Sequence, residues 1–158
     1  MIQQQIRIWE GKKEMIGQAG RSDSAALALL ALQLWNNNTF DELKREFERL
    51  SESEDAACFL LYAGEKPAGF AQCQLRRDYV EGTETSPVGY LEGIFVLEAY
   101  RHKGYAKELL SACESWAKGK HCTEFASDCE LENADSLDFH LAVGFEEANR
   151  IICFRKNI

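Results

Sequence analysis

The sequence predicts an α/β fold, in the α+β sense of a mixed sheet that is antiparallel at its start, with helices packed against it. Three observations carry this. Two apolar runs, Ala57 to Ala63 and Ala68 to Arg77, flank the short polar turn Gly64-Glu65-Lys66-Pro67, which is the pattern of an antiparallel hairpin. The stretch Tyr90 to Leu97 mixes aromatic and β-branched residues as a buried strand does. It leads into a helix opened by Gly104, with apolar Ala106, Leu109, Leu110 and Cys113 at helical spacing.

The remaining elements follow in chain order. Residues 1–13 read as an N-terminal extension, and a first strand begins at Glu14-Met15-Ile16-Gly17-Gln18-Ala19. Ser22 or Asp23 can cap a helix through AALALLALQLW, whose alanines and leucines leave almost no polar face, so packing on both sides is expected. Asn36-Asn37-Asn38 is expected to end it. Phe40, Leu43, Phe47 and Leu50, at steps of three and four, predict an amphipathic helix from Phe40 to Leu50. After the hairpin, Arg76 to Pro87 has the glycine, proline and hydroxyl content of a loop and carries Asp78, Glu81 and Glu84. The Gly104 helix should end near Lys118-Gly119-Lys120, followed by a short strand from Glu124 to Cys129 and a helix from Asn133 to Val143. Phe145 to Arg155, rich in Ile and Phe, predicts a last strand.

No linker or repeat divides the 158 residues, so a single domain over 1–158 is expected, long enough to bury a core without covalent staples. Six cysteines, at 58, 73, 113, 122, 129 and 153, include no C-x-x-C pair and mostly interrupt apolar runs, which predicts buried reduced thiols. The opening MIQQQIRIWEGKK lacks an apolar signal core, and the longest apolar run, Ala25 to Leu32, is too short to cross a bilayer. A cytoplasmic protein with no membrane partner is expected. With 26 acidic against 18 basic residues the net charge is −8, which argues against a nucleic-acid partner and suits a cationic one where the acids converge. Three scattered histidines form no H-E-x-x-H or comparable set, so no metal is expected. Neither G-x-x-x-x-G-K nor G-x-G-x-x-G occurs, which disfavours a P-loop or dinucleotide site.

The chemistry concentrates between the strand and the helix. Arg101-His102-Lys103-Gly104-Tyr105-Ala106 puts basic side chains and a glycine at a helix start, where unpaired backbone N–H groups attract an anion; Lys107 adds a further charge. This R-x-x-G-x-A pattern after a strand resembles the cofactor motif of the GNAT N-acetyltransferase superfamily. A second signature agrees: Asn133-Ala134-Asp135-Ser136, followed by His140-Leu141-Ala142-Val143-Gly144-Phe145, is similar to the N-x-x-A/S and G-F elements of those enzymes. The resemblance implies a GNAT-like mixed, mostly antiparallel sheet with a splayed central strand, and acetyl-CoA as co-substrate. It also implies that the backbone of Ile94, Phe95 and Val96 holds the pantetheine arm. Arg101, His102, Lys103, Gly104, Tyr105, Ala106 and Lys107 would surround the diphosphate, with Asn133 and Ser136 completing the cofactor set.

Acetylating an amine requires the neutral amine, and each pKa unit to be overcome costs about 1.4 kcal/mol, so a positioned base is expected. Glu92 is the candidate, because a carboxylate within the apolar run Tyr90 to Val96 is costly unless paired or functional. The competing readings are a solvent-facing position at a strand end and a pairing with one of the arginines. At the leaving-group end, relatives place a tyrosine four residues before G-F; here that position is His140, either an acid for the departing thiolate or a structural helix residue.

RRDYVEG, Ser86-Pro87, YLEGIFVL and FASDCELEN together resemble the aminoglycoside 6′-N-acetyltransferases, from Glu14 over almost the whole remaining chain. By that resemblance Trp35, Tyr79, Glu92 and Asp128 line the acceptor site. The implied function is acetyl transfer from acetyl-CoA to the 6′-amine of an aminoglycoside, a cationic small molecule, by direct attack in a ternary complex. A homodimer is implied as well, with the apolar last strand suited to a shared sheet edge. Two alternatives stay open: a GNAT enzyme acting on a polyamine, peptide N-terminus or small amine, and a CoA-binding module without turnover.

Overall fold

The computed structural model describes residues 14–158. The extension expected over 1–13 lies outside the described residues. Five strands form one sheet in the order β1-β2-β3-β4-β5: β1 Glu14–Gln18, β2 Ala56–Ala63, β3 Lys66–Arg76, β4 Val88–Val96 and β5 Phe125–Ser127. The first three pairings are antiparallel and β4 pairs with β5 in parallel, so the sheet is mixed and mostly antiparallel.

The helices are α1 Ser24–Ala31, α2 Phe40–Ser51, α3 Tyr105–Gly119 and α4 Ala134–Ala142. The inner strands are buried on both faces, and alternation along β2 divides the core. Ala57, Phe59 and Leu61 face α3 with Leu109, Leu110 and Cys113, while Cys58 and Leu60 join Leu27, Leu43 and Phe47 of α1 and α2. Phe70 of β3 is fully buried between the edges of Phe47 and Trp35, at ring-centroid distances of 6.0 and 5.9 Å.

α2 is strongly capped. The Thr39 side chain accepts from the Glu42 amide, and the Glu42 carboxylate accepts from the Thr39 amide at 2.8 Å. Thr39, the last residue of the polar cluster after α1, therefore begins the next helix. α1 departs from expectation in two ways. It stops at Ala31, before Gln33-Leu34-Trp35, and it is not buried all round, since Leu29 is 61% exposed. The alanines permit helix without setting its length, and packing on one side of the sheet leaves the opposite face open.

The expected last strand is not formed. Residues 146–158 have no regular structure and are exposed, including Ile151, Ile152 and Phe154. A strand needs a ladder partner as well as β-prone residues, and none is provided among the described residues. The cysteine expectation holds for Cys58, Cys73, Cys113 and Cys122, which are buried and free. Cys129 is half-buried and Cys153 exposed. Burial pushes the Cys58 thiol up to about 12, so it stays protonated.

Candidate active site

β4 organises the site because its neighbours treat its two halves differently. β3 pairs along all of it, whereas β5 pairs only with Gly89, Tyr90 and Leu91. From Glu92 onward the edge of β4 on the β5 side has no strand partner among the described residues, so the sheet splays at that point. The Leu97 amide donates back to Ala68 of β3, so by alternation the N–H and C=O of Val96 and Ile94 face the open side. One acceptor position there is already in use. Arg101 Nε donates to the Val96 carbonyl at 2.8 Å, and its guanidinium lies 5.6 Å from the Phe95 ring centroid.

Glu92 sits at a β-bulge. Gln72 pairs with Gly93 and Cys73 with Leu91, leaving Glu92 as the extra residue, a device that re-aims a side chain next to a functional cleft. Its carboxylate is held by Arg76 of β3: Nε donates to Oε1 at 3.1 Å, and Nη2 donates to Oε1 and Oε2 at 2.9 and 3.0 Å. The Arg76 guanidinium stacks on the Tyr90 ring, 3.4 Å from its centroid, and the Tyr90 hydroxyl donates to Asp128 Oδ2. Burial and the Asp128 carboxylate raise the Tyr90 pKa, which keeps that hydroxyl a donor. Glu92 and Asp128, far apart in sequence, thus belong to one chain of contacts, Glu92, Arg76, Tyr90, Asp128.

Trp35, just beyond α1, lies across the same strand. A Cβ on Gly93 would come within 2.5 Å of its indole, so glycine next to Glu92 is what lets the ring approach. Tyr79 is not gathered with these groups. It is 80% exposed in the loop before β4, with its hydroxyl donating to Glu81 at 3.1 Å. That loop is fastened at its far end by Glu124, which accepts from the amides of Glu84 and Thr85 at 3.0 and 2.8 Å and is held below the usual carboxylate range by Thr85. Asp78, Glu81 and Glu84 on the loop, and Asp128, Glu130, Glu132 and Asp135 after β5, are all exposed.

Among the predicted cofactor residues, Gly104 is the left-handed N-cap of α3, at φ +86°, and no side chain caps that helix. A Cβ at Gly104 would meet nothing within 4 Å. His102 is also left-handed, at φ +59°. The amides of Gly104 to Lys107 are left for an external acceptor, with the exposed side chains of Arg101, His102, Lys103 and Lys107 around them. Tyr105 and Ala106 expose backbone rather than side chain here, since Tyr105 is buried in the core and Ala106 packs against it. Asn133 is occupied otherwise: its Oδ1 accepts from the Ser136 amide at 3.1 Å and caps α4.

His140 of α4 is held on both nitrogens, Nδ1 2.6 Å from the Ser136 carbonyl and Nε2 2.8 Å from Ser127 Oγ. Arg76, Tyr90 and Ser127 were not singled out in the sequence. A charged strand end, a core aromatic and a small polar residue carry no signal alone, and only Arg76 had a pointer, in that Glu92 had to find a cation.

The profile of the Acetyltransferase (GNAT) family matches residues 27–145. The chain belongs to that family. Within it, an aminoglycoside N(6′)-acetyltransferase type 1 of Salmonella typhimurium is 42% identical over 127 residues, covering 80% of this chain and 88% of the relative. One of Acinetobacter baumannii is 41% identical over 144 residues, covering 90% and 96%. Among solved structures, the aminoglycoside acetyltransferase AAC(6′)-Iy in complex with the bisubstrate analogue CoA-S-monomethyl-acetylneamine superposes with a TM-score of 0.88 at 38% identity, covering 92% of this chain and 99% of that one. The same enzyme in complex with CoA gives 0.90 at 37% identity, covering 96% and 99%. The GNAT-like fold expected from the two sequence signatures is the fold of the chain.

Proposed function

We propose that this GNAT enzyme transfers the acetyl group of acetyl-CoA to the 6′-amine of an aminoglycoside, by direct attack in a ternary complex. The observation that carries this reading is the bulged Glu92 at the splay of β4, linked through Arg76 and Tyr90 to Asp128, in a chain about 40% identical to aminoglycoside 6′-N-acetyltransferases over most of their length.

The chain's groups fit acetyl-CoA. The uncapped amides at the start of α3, with Arg101, His102, Lys103 and Lys107 beside them, suit a diphosphate, and the open edge at Ile94 to Val96 suits an extended amide-bearing arm. Acetyl-CoA, when bound, supplies an activated thioester carbonyl. Glu92 receives a proton from the acceptor ammonium, directly or through water, so that the amine attacks in its neutral form. Asp128 accepts from an acceptor N–H or O–H while Tyr90 fixes its direction, and charge-assisted contacts of this kind are worth roughly 1.5–3 kcal/mol each. Trp35 and Tyr79 offer flat faces for sugar rings, and the exposed acids on both sides of the cleft attract a polycation. His140 serves the leaving-group end.

The test is acetyl-CoA turnover with an aminoglycoside bearing a 6′-amine beside its 6′-hydroxy analogue. Turnover confined to the amine is expected. Equal rates for both, or turnover of peptides and polyamines only, would contradict the acceptor assignment.

The reading includes a homodimer. Its support is the exposed segment 146–158, whose Ile151, Ile152 and Phe154 have the composition of a strand without a ladder, and the short edge strand β5. It also includes a cytoplasmic location, for which the free, mostly buried thiols speak. No helix among the described residues is long and apolar enough to cross a membrane.

A further inference from the structure

The imidazole of His140 is oriented at both nitrogens. A backbone carbonyl only accepts, so the Nδ1 atom 2.6 Å from the Ser136 oxygen carries the hydrogen. In the neutral ring Nε2 is then the acceptor, and Ser127 Oγ, 2.8 Å away, donates to it. Phe139 and Phe145 enclose the ring at centroid distances of 5.7 and 5.1 Å, which holds it in place. Among the described residues, the hydrogen-bond partner of Nε2 is the Ser127 hydroxyl. Ser127 is the last residue of β5 and pairs with Leu91; its one hydroxyl hydrogen has two acceptors in reach, His140 Nε2 at 2.8 Å and the Leu91 carbonyl at 3.3 Å, and the shorter contact is to the ring. Leu91 is the last residue of β4 to pair with β5, so this hydroxyl stands where the two strands separate, one residue along β4 from Glu92.

We infer that Ser127 is a catalytic residue and that Ser127 and His140 form a proton relay, with Ser127 facing the reacting centre. The inference rests on the acetyl-transfer reading above. Two protons leave the acceptor's ammonium nitrogen as its bond to the acetyl carbon forms. Glu92 takes one and passes it to water. Ser127 takes the other while handing its own hydrogen to His140 Nε2, which makes the ring an imidazolium held by the Ser136 carbonyl. As the carbon–sulfur bond breaks and its electron pair moves to sulfur, Ser127 gives a proton to the thiolate and regains one from Nε2. His140 ends neutral, the amide and the thiol are complete, and one proton has been released to solvent. A serine one step from a fixed imidazole thus supplies the leaving-group proton.

Two measurements test this on the whole enzyme. The first needs no turnover. In 15N-labelled enzyme with CoA bound, the three histidines are distinguished by comparison with His140→Gln. The neutral His140 ring is expected in the Nδ1–H tautomer, with Ser127→Ala shifting its Nε2 resonance and leaving CoA affinity, read by calorimetry, unchanged. An Nε2–H tautomer, or an Nε2 resonance indifferent to Ser127→Ala, would overturn the relay.

The second is kinetic, with whichever amine the wild type acetylates. Ser127→Ala is expected to lower kcat about 10²-fold, the scale of lost acid–base assistance, and Ser127→Thr, which keeps the hydroxyl on a strand-compatible side chain, to restore most of it. Because the pair acts as a unit, Ser127→Ala combined with His140→Gln should be no slower than the slower single variant. Multiplying defects, or wild-type kcat in Ser127→Ala, would overturn the relay while leaving the acetyltransferase reading standing. A wild type inert toward 6′-amino aminoglycosides would instead sink the acceptor assignment.

Discussion

Glu92 is both the proposed base and half of an ion pair, and this double role makes Arg76 informative. The guanidinium grips the carboxylate through its planar fork and stacks on Tyr90, so it fixes the direction in which the remaining lone pairs of Glu92 point. A lysine keeps the charge and loses both the fork and the stack. Arg76→Lys should therefore lower kcat about tenfold while leaving acetyl-CoA affinity unchanged, as steady-state kinetics and calorimetry can check, because a displacement of about 1 Å at a reacting group is costly. Glu92→Gln should lower kcat more, by about 10²-fold, with the rate partly recovered at high pH as the free amine forms without assistance. A wild-type pH–rate profile in Glu92→Gln would remove Glu92 as base. At this scale the sequence disclosed Glu92 because a charge in an apolar strand is conspicuous. It pointed to a cation for Glu92 without saying which, and it hid Tyr90 and Ser127, because their roles come from a stacked guanidinium and a helix met across a loop.

Elements were legible where their signal is local. The periodic apolar positions of α2 and α3 and the turn between β2 and β3 fell within a residue or two of expectation. The bulge at Glu92 was not legible, since it is a mismatch between two strands and not a property of either. Two glycines show what these elements require. Gly93→Ala would bring a methyl within 2.5 Å of Trp35, so the indole must withdraw from β4. The expected outcome is a raised KM for the aminoglycoside with little change in KM for acetyl-CoA. Gly104→Ala meets no neighbour but must adopt φ near +86°, which costs about 1 kcal/mol for a residue with a Cβ. It should lower stability by that amount in urea unfolding and weaken CoA binding, since the same backbone turn aims the α3 amides. Retention of both would show that the turn is not the phosphate seat.

For the whole molecule, the mixed, mostly antiparallel sheet flanked by helices followed from strand and helix patterns together with the family resemblance, whereas the fate of residues 146–158 did not. The apolar run Ile151-Ile152-Cys153-Phe154 predicts burial, but what buries it is decided by a partner, and a sequence pattern names no partner. If a second copy covers them, sedimentation should give a dimer for the full chain, and Ile152→Asp with Phe154→Asp should give a monomer. A wild-type monomer at micromolar concentration would contradict the assembly. The central claim concerns the acceptor, and the position of the acetyl group on the product tests it most directly. Kanamycin or tobramycin incubated with the enzyme and acetyl-CoA should yield a single product whose acetyl group, located by two-dimensional NMR, sits on the 6′-nitrogen. An acetyl group on any other amine, or no acetylated product, would contradict the account.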